Sequence, residues 1–328
     1  WCFLFVGCLS YRGYFQEAAA REQADKLAAE GWDTYVGGAI AYSTLGWFDD
    51  PLTTPMIDRS GPALVELLIH ELVHAVQDQA SNLDSLTSRR RGNDRQMAAQ
   101  AAIEGHATLV MLEYFTEQLQ GQPVDLAEIP DFATQVRPAL AALRSQYPAL
   151  TNAPRVIRES LLFPYLEGAA FVQRLWHEQG GRPSPLGEQL PQSTEQVLVA
   201  GPMLPSARDE PTEIRLQVEG LRYSNTLGAM ETGILLEELT GGDGAASLGW
   251  DGDRFALVGT AGEPALAWLT VWDDAAARDR FVTTLTPALD RLPLPATLVA
   301  HDVEGRPAAL LEVGAPGAVT ATLTGDGW

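Results

Sequence analysis

"LLIHELVHAVQ", residues 67–77, sets His70, Glu71 and His74 inside an otherwise apolar run. Leu67, Leu68, Ile69, Leu72, Val73 and Val76 call for burial, whereas polar groups taken out of water cost about 1–3 kcal/mol each unless partnered. Something must therefore satisfy the histidines. Ser60, Gly61 and Pro62 read as a helix start, a small polar cap with an early proline, and the helix extends to about Ala80. On a helix, positions i and i+4 lie one turn apart on one face, so His70 and His74 can offer two imidazoles to one ion. Glu71, about 100° round from His70, can reach a water held by that ion without being a ligand. This is the mechanical content of H-E-x-x-H on a helix, the zinc-hydrolase pattern. Two of the chain's five histidines fall in it.

A catalytic zinc site uses three protein ligands and an open position for water, with His₂Glu a standard set. Glu104, in "AAIEGHATLV" (101–110), is the expected third ligand. It lies on a second long helix that starts near Asn93 or Asp94 and runs to Gln120. An unpaired carboxylate in that apolar stretch would be expensive. Ala101, Ala102, Gly105 and Ala107 are small enough to let two helices share an ion. A salt bridge to an arginine is the bland alternative. His106, two positions on and about 200° away, is a rival ligand rather than a partner of Glu104. His177 and His301 lack supporting neighbours and read as structural or exposed. Gln77 and Asp78 are candidates to orient an imidazole or to face solvent. Tyr165, Tyr114 and His106 are unranked candidates to donate to a developing oxyanion.

Composition narrows the partners. A formal charge of −21 over 328 residues argues against nucleic acid and against an anionic membrane surface. "WCFLFVGCLS" (1–10) holds both cysteines, Cys2 and Cys8, which read as a short-loop disulfide in an exported protein, with free thiols or a lipidated Cys8 as alternatives. Its apolar run is too short to span a bilayer, so a membrane anchor would lie outside this chain. Beginning at Trp1, the chain reads as processed or truncated.

The expected fold is α+β in two domains. Residues 1–204 form a mainly helical zincin-like domain, with helices at 14–30, 61–80, 93–120, 130–148 and 155–180 and a strand region at 33–48 before the zinc helix. "SNLDSLTSRRRG" (81–92) reads as a solvated loop and "LPSARDEPTE" (204–213) as a linker. Residues 205–328 form a small α+β domain of unknown role, with helices near 226–239 and 273–290 and strands in "RFALVGT", "ALAWLTVW", "ATLVAHDV" and "PAALLEV". "GWDGDRF" (249–255) holds Asp251 and Asp253 in a superficially calcium-loop-like run, but the later liganding glutamate is missing, and a turn feeding a strand is the reading adopted.

"WCFLFVGCLSYRGYF" (1–15), "AYSTLGWFDDP" (41–51) and "LLIHELVHAVQ" together resemble the exported bacterial predicted-aminopeptidase family, assigned to the glutamate-zincin metallopeptidases. Over about residues 1–79 that resemblance implies His70 and His74 as ligands and Glu71 as base. It also implies that the extended stretch "GGAIAYSTLG" (37–46) pairs with the substrate backbone; a plain core strand is the alternative. The family's later glutamate falls sooner, in an N-E-x-x-A-like motif absent here. The stretches "VHAVQDQASNLDSL", "IEGHATLVMLEY", "RESLLFPYLEGAAFVQRLW", "STEQVL" and "GWDGDRFALVG" instead resemble uncharacterised exported bacterial proteins with HELxHALQDQ-type and EGDATLV-type helices. That second resemblance implies Glu104 as third ligand, with His106 standing where the group has aspartate. The expectation is a zinc-dependent peptidase, an aminopeptidase in the first family's terms, acting on a peptide or protein. The alternative is a non-catalytic envelope binding or assembly protein with a structural or vestigial zinc.

Overall fold

The computed structural model describes residues 61–129, 153–199 and 208–324, apart from 243 and 261. The expected Cys2–Cys8 pair, the helices at 14–30 and 130–148 and the strand region at 33–48 lie outside the described residues.

Three long helices carry the first part: α1 (Gly61–Ala80), α3 (Asn93–Gln120) and α4 (Arg155–Gln179), with a single turn α2 (Leu83–Leu86) between the first two. α3 stops where Gly121 takes the left-handed conformation (φ 68°) and returns its N–H to the Glu117 carbonyl at 2.8 Å. Ala98, Ala101, Ala102 and Gly105 line its buried face. This small-residue face admits α4 to backbone contact. A Cβ on Gly105 would sit 2.0 Å from the Gly168 carbonyl carbon, and one on Gly168 would sit 2.1 Å from the Ala101 oxygen. Around the crossing pack Phe163, Phe171, Val172, Leu175 and Trp176. The stretch 81–92, expected as a loop, contains α2 and a 3-10 turn at Arg89–Arg91.

Beyond the short helix α5 (Thr194–Leu198), β1 (Glu213–Val218), β2 (Tyr223–Asn225), α6 (Gly228–Thr240), β3 (Trp250–Gly259), β4 (Pro264–Trp272), α7 (Ala275–Leu285), β5 (Ala296–Val303), β6 (Arg306–Val313) and β7 (Val319–Thr324) follow. An antiparallel sheet runs in the order β2-β3-β4-β6-β5, and β1 pairs with β7 in a separate ribbon. Alternation along β4 assigns its two faces. Trp268 and Trp272 join Phe281 of α7 in one core, while Leu269 and Val271 join Ile214 of β1 in another. The sheet is thus covered by helices on one side and by the ribbon on the other. The protein is α+β, helical first and strand-rich after.

One buried carboxylate ties the halves together, and a second fastens α6 to its own sheet. Asp94, in the first turn of α3, accepts from the N–H (3.1 Å) and Oγ1 (2.5 Å) of Thr194, whose Oγ1 accepts from Met230 N–H at 3.1 Å. Asp253 accepts from the N–H groups of Leu227 and Gly228 and from the indoles of Trp250 and Trp268, at 2.8–3.2 Å. Both Asp251 and Asp253 lie within β3 itself. Helix α6 contributes Met230 and Ile234 to the helical core and Ala229 and Leu236 to the sheet core.

Replacing a helical glycine with alanine ordinarily favours the helix by about 0.5–1 kcal/mol. At Gly168 the added methyl would strike the Ala101 carbonyl, so Gly168→Ala should instead destabilise the protein by about 2 kcal/mol. Thermal unfolding measures the sign directly, and a raised Tm would contradict the close crossing.

Candidate metal centre

Helix α1 meets α3 with its polar side inward. His70 is 5% and Gln77 3% exposed, whereas Leu72 is 44% and Val76 65% exposed. The expectation that the leucines and valines would take the buried face is corrected here. A carboxylate on the facing helix can be satisfied only by the polar residues of α1.

That carboxylate is Glu104. Its Oε2 lies 3.1 Å from His70 Nε2 and 3.3 Å from His74 Nε2, and the two imidazole nitrogens are 3.0 Å apart. The structure therefore brings together all three residues expected as ligands, and they form a group that could hold a metal ion. Tetrahedral zinc with bonds of about 2.05 Å spaces its ligand atoms about 3.3 Å apart, so the triangle fits such an ion.

Gln77 decides the histidine tautomer. Its Nε2 donates to the Ile103 carbonyl at 3.0 Å, and a carbonyl can only accept. The amide oxygen must then face His74 Nδ1, 2.8 Å away, which places the proton on Nδ1 and leaves the Nε2 lone pair pointing at the triangle. The second amide proton faces His106 Nδ1 at 3.1 Å. His106 is turned away from the triangle, its ring edge-on to Trp176 with centroids 5.7 Å apart. Arg182 covers the other part of that indole, 4.6 Å from the ring centroid, and pairs with Glu113 and Asp125.

Burial would lower the His74 pKa, but Glu104, with Gln77 and Glu71, outweighs it and takes the imidazole up to about 9. Burial would likewise raise Glu104, yet the two histidines hold it down to about 2. Glu71 is raised by burial, against the pull of His74 and His70. His106 is lowered to about 4 by burial and by the charges of His74 and Arg182. Without a metal, at neutral pH, the triangle is an ion pair of the Glu104 carboxylate and a protonated His74, whose proton a metal would displace.

Of the three oxyanion candidates, Tyr165 of α4 is buried beside His70, with ring centroids 6.3 Å apart. Tyr114 is ten residues past Glu104, about 15 Å along α3. Asp78 accepts from Leu83 N–H at 3.2 Å at the entry to α2. His177 is exposed, 3.7 Å from Glu128, and His301 lies on β5. Gln77's bridge from His74 to α3 and to His106 is more than the sequence implied. Its sequence signal is a polar residue three positions after the second histidine of the H-E-x-x-H pattern.

Residues 1–89 match the family model described as "Putative aminopeptidase", and residues 216–324 match a domain of unknown function, DUF8575. Neither match reaches half of the chain, and Glu104 lies outside both. No curated protein and no solved structure matches.

Zinc titration of the chelator-treated protein, followed by calorimetry, separates the contributions. Glu104→Ala should lose high-affinity zinc binding, and Gln77→Leu should weaken it by about 10- to 100-fold. Unchanged affinity in Glu104→Ala would move the third ligand elsewhere.

Proposed function

We propose that the protein is a zinc-dependent metallopeptidase in which His70, His74 and Glu104 hold the metal and Glu71 is the general base. One observation carries this reading. Two imidazoles and a carboxylate from separate helices, α1 and α3, put three donor atoms within 3.0–3.3 Å of one another. Among the described residues no fourth histidine, cysteine or acidic side chain joins them. That favours a site with an open position over a closed structural one. The match of residues 1–89 supports peptide hydrolysis among the reactions such a site can run.

Zinc, when bound, would lower the pKa of a water and polarise a scissile carbonyl. The chain's own groups do the rest. Glu71 neighbours the triangle closely enough for His74, His70 and Glu104 all to act on its charge. Its burial strengthens it as a base, able to take a proton from the attacking water and pass it to the leaving amine. Gln77 keeps the His74 lone pair aimed at the metal by holding the proton on Nδ1. Tyr165, whose ring borders His70, is placed to steady an oxyanion. The substrate class is a peptide or protein, met outside the cytoplasm if the expected export holds.

Glu71→Gln should keep its zinc and lose turnover by about 10²- to 10⁴-fold. A peptide-library digest read by mass spectrometry, with and without chelator, measures it. N-terminal trimming would specify an aminopeptidase and internal cuts an endopeptidase. Parental cleavage by Glu71→Gln would remove Glu71 as the base. Silence of the parental protein across the library would count against peptide hydrolysis.

A further inference from the structure

His106 points away from the metal triangle, yet it takes a proton from the side chain that orients His74. Gln77, only 3% exposed, has one amide oxygen and two N–H donors to place. The oxygen faces His74 Nδ1 at 2.8 Å, one proton goes to the Ile103 carbonyl at 3.0 Å, and the other goes to His106 Nδ1 at 3.1 Å. Ile103 and His106 lie three positions apart on α3, so about one turn of that helix receives both protons. The two acceptors are not equal. The Ile103 carbonyl lies inside α3 and also serves the helix ladder, whereas His106 Nδ1 offers its single lone pair to Gln77.

The imidazole is held from its far side. Trp176 of α4, buried, meets the ring edge-to-face with centroids 5.7 Å apart. Its indole N–H donates to the Pro183 carbonyl at 3.1 Å, and Arg182 lies 4.6 Å from the indole centroid. The same guanidinium pairs with Glu113 on α3 and with Asp125. Glu113 Oε1 in turn accepts from Leu126 N–H at 2.9 Å. The wall behind His106 is therefore fastened to α3 and to the segment after α4. Turning the imidazole over about χ2 would set a carbon against the Gln77 amide in place of Nδ1.

We propose that His106 is a positioning residue for the metal centre, which acts through Gln77 by accepting its second amide proton and so keeps the His74 Nδ1 proton in place. A Gln77 amide turned by 180° would aim its oxygen at two acceptors, Ile103 O and His106 Nδ1, and its NH₂ at His74 Nδ1. His74 would then have to carry its proton on Nε2, the nitrogen that faces Glu104 at 3.3 Å. With His106 accepting, two contacts oppose that flip; without it, one shared carbonyl does. The role rests on the zinc reading of His70, His74 and Glu104 and adds to it a residue that touches neither metal nor substrate. It also makes α4 part of the metal centre's support, since Trp176 holds the ring that holds the amide.

Zinc titration of the full chain, followed by calorimetry, reads this role without any substrate. His106→Leu should weaken zinc binding about tenfold. His106→Asn, whose Oδ1 stands close to the place of Nδ1 and accepts, should remain within about threefold of the parental affinity. In the Gln77→Leu background His106→Leu should cost nothing further, because the imidazole acts only through that amide. A ring that merely filled space would give additive losses, and the smaller, polar asparagine would not restore them. Nitrogen NMR of the unaltered chain with labelled histidine, recorded without metal at neutral pH, should show His106 with its proton on Nε2 and none on Nδ1. Parental affinity in folded His106→Leu, an additive loss in the double variant, His106→Asn as weak as His106→Leu, or a proton on His106 Nδ1 would each overturn the role. A parental chain that binds no zinc would remove the zinc reading and this role together, whereas parental binding left unchanged by His106→Leu would remove the role alone.

Discussion

The carboxylate of Glu104 cannot stand alone in the wall of alanine and glycine from which it projects, and the helical half is organised around satisfying it. An ionised group in such a setting needs a partner of opposite charge or several hydrogen bonds. Helix α1 supplies two imidazole nitrogens and so turns His70 and Gln77 inward, at the expense of exposing Leu72 and Val76. Gln77 then locks the arrangement, because its amide is oriented by a backbone carbonyl and passes that orientation to His74. One backbone acceptor thereby settles which imidazole nitrogen faces Glu104.

Behind α3, the Gly105–Gly168 crossing brings α4 close enough for Tyr165 to border His70 and for Trp176 to back His106. A candidate site built from two helices is only as precise as their packing. Here a third helix, seated in backbone contact, holds α3 from behind.

The same constraint, a carboxylate removed from water, recurs with different solutions. Asp253 is answered by four N–H donors and caps the start of α6 while anchoring two indoles. Asp94 is answered by one threonine, which relays the interaction to α6. Glu195 meets like charges instead. Backbone amides, indoles, a hydroxyl and imidazoles, rather than arginines, thus answer Asp253, Asp94 and Glu104.

Local features of the sequence were enough to bound α1 and α3, since Gly61–Pro62 opens the first and Gly121 closes the second. They also placed two imidazoles one turn apart and singled out Glu104 as a carboxylate out of keeping with its neighbours. The strands β3 to β6 were legible from β-branched and aromatic runs, whereas β1 and β7 were not. Glu213 pairs with Thr324, 111 residues away, and β1 adjoins a stretch whose proline and charge read as linker. The inward face of α1 was equally hidden, because leucine and histidine compete for it and only a neighbour's charge decides the contest. Spacing along one helix is a local property that residue order sets through backbone geometry. Which carboxylates end up buried, and what answers them, depends on segments distant in the chain meeting in space, and only the tertiary structure decides that.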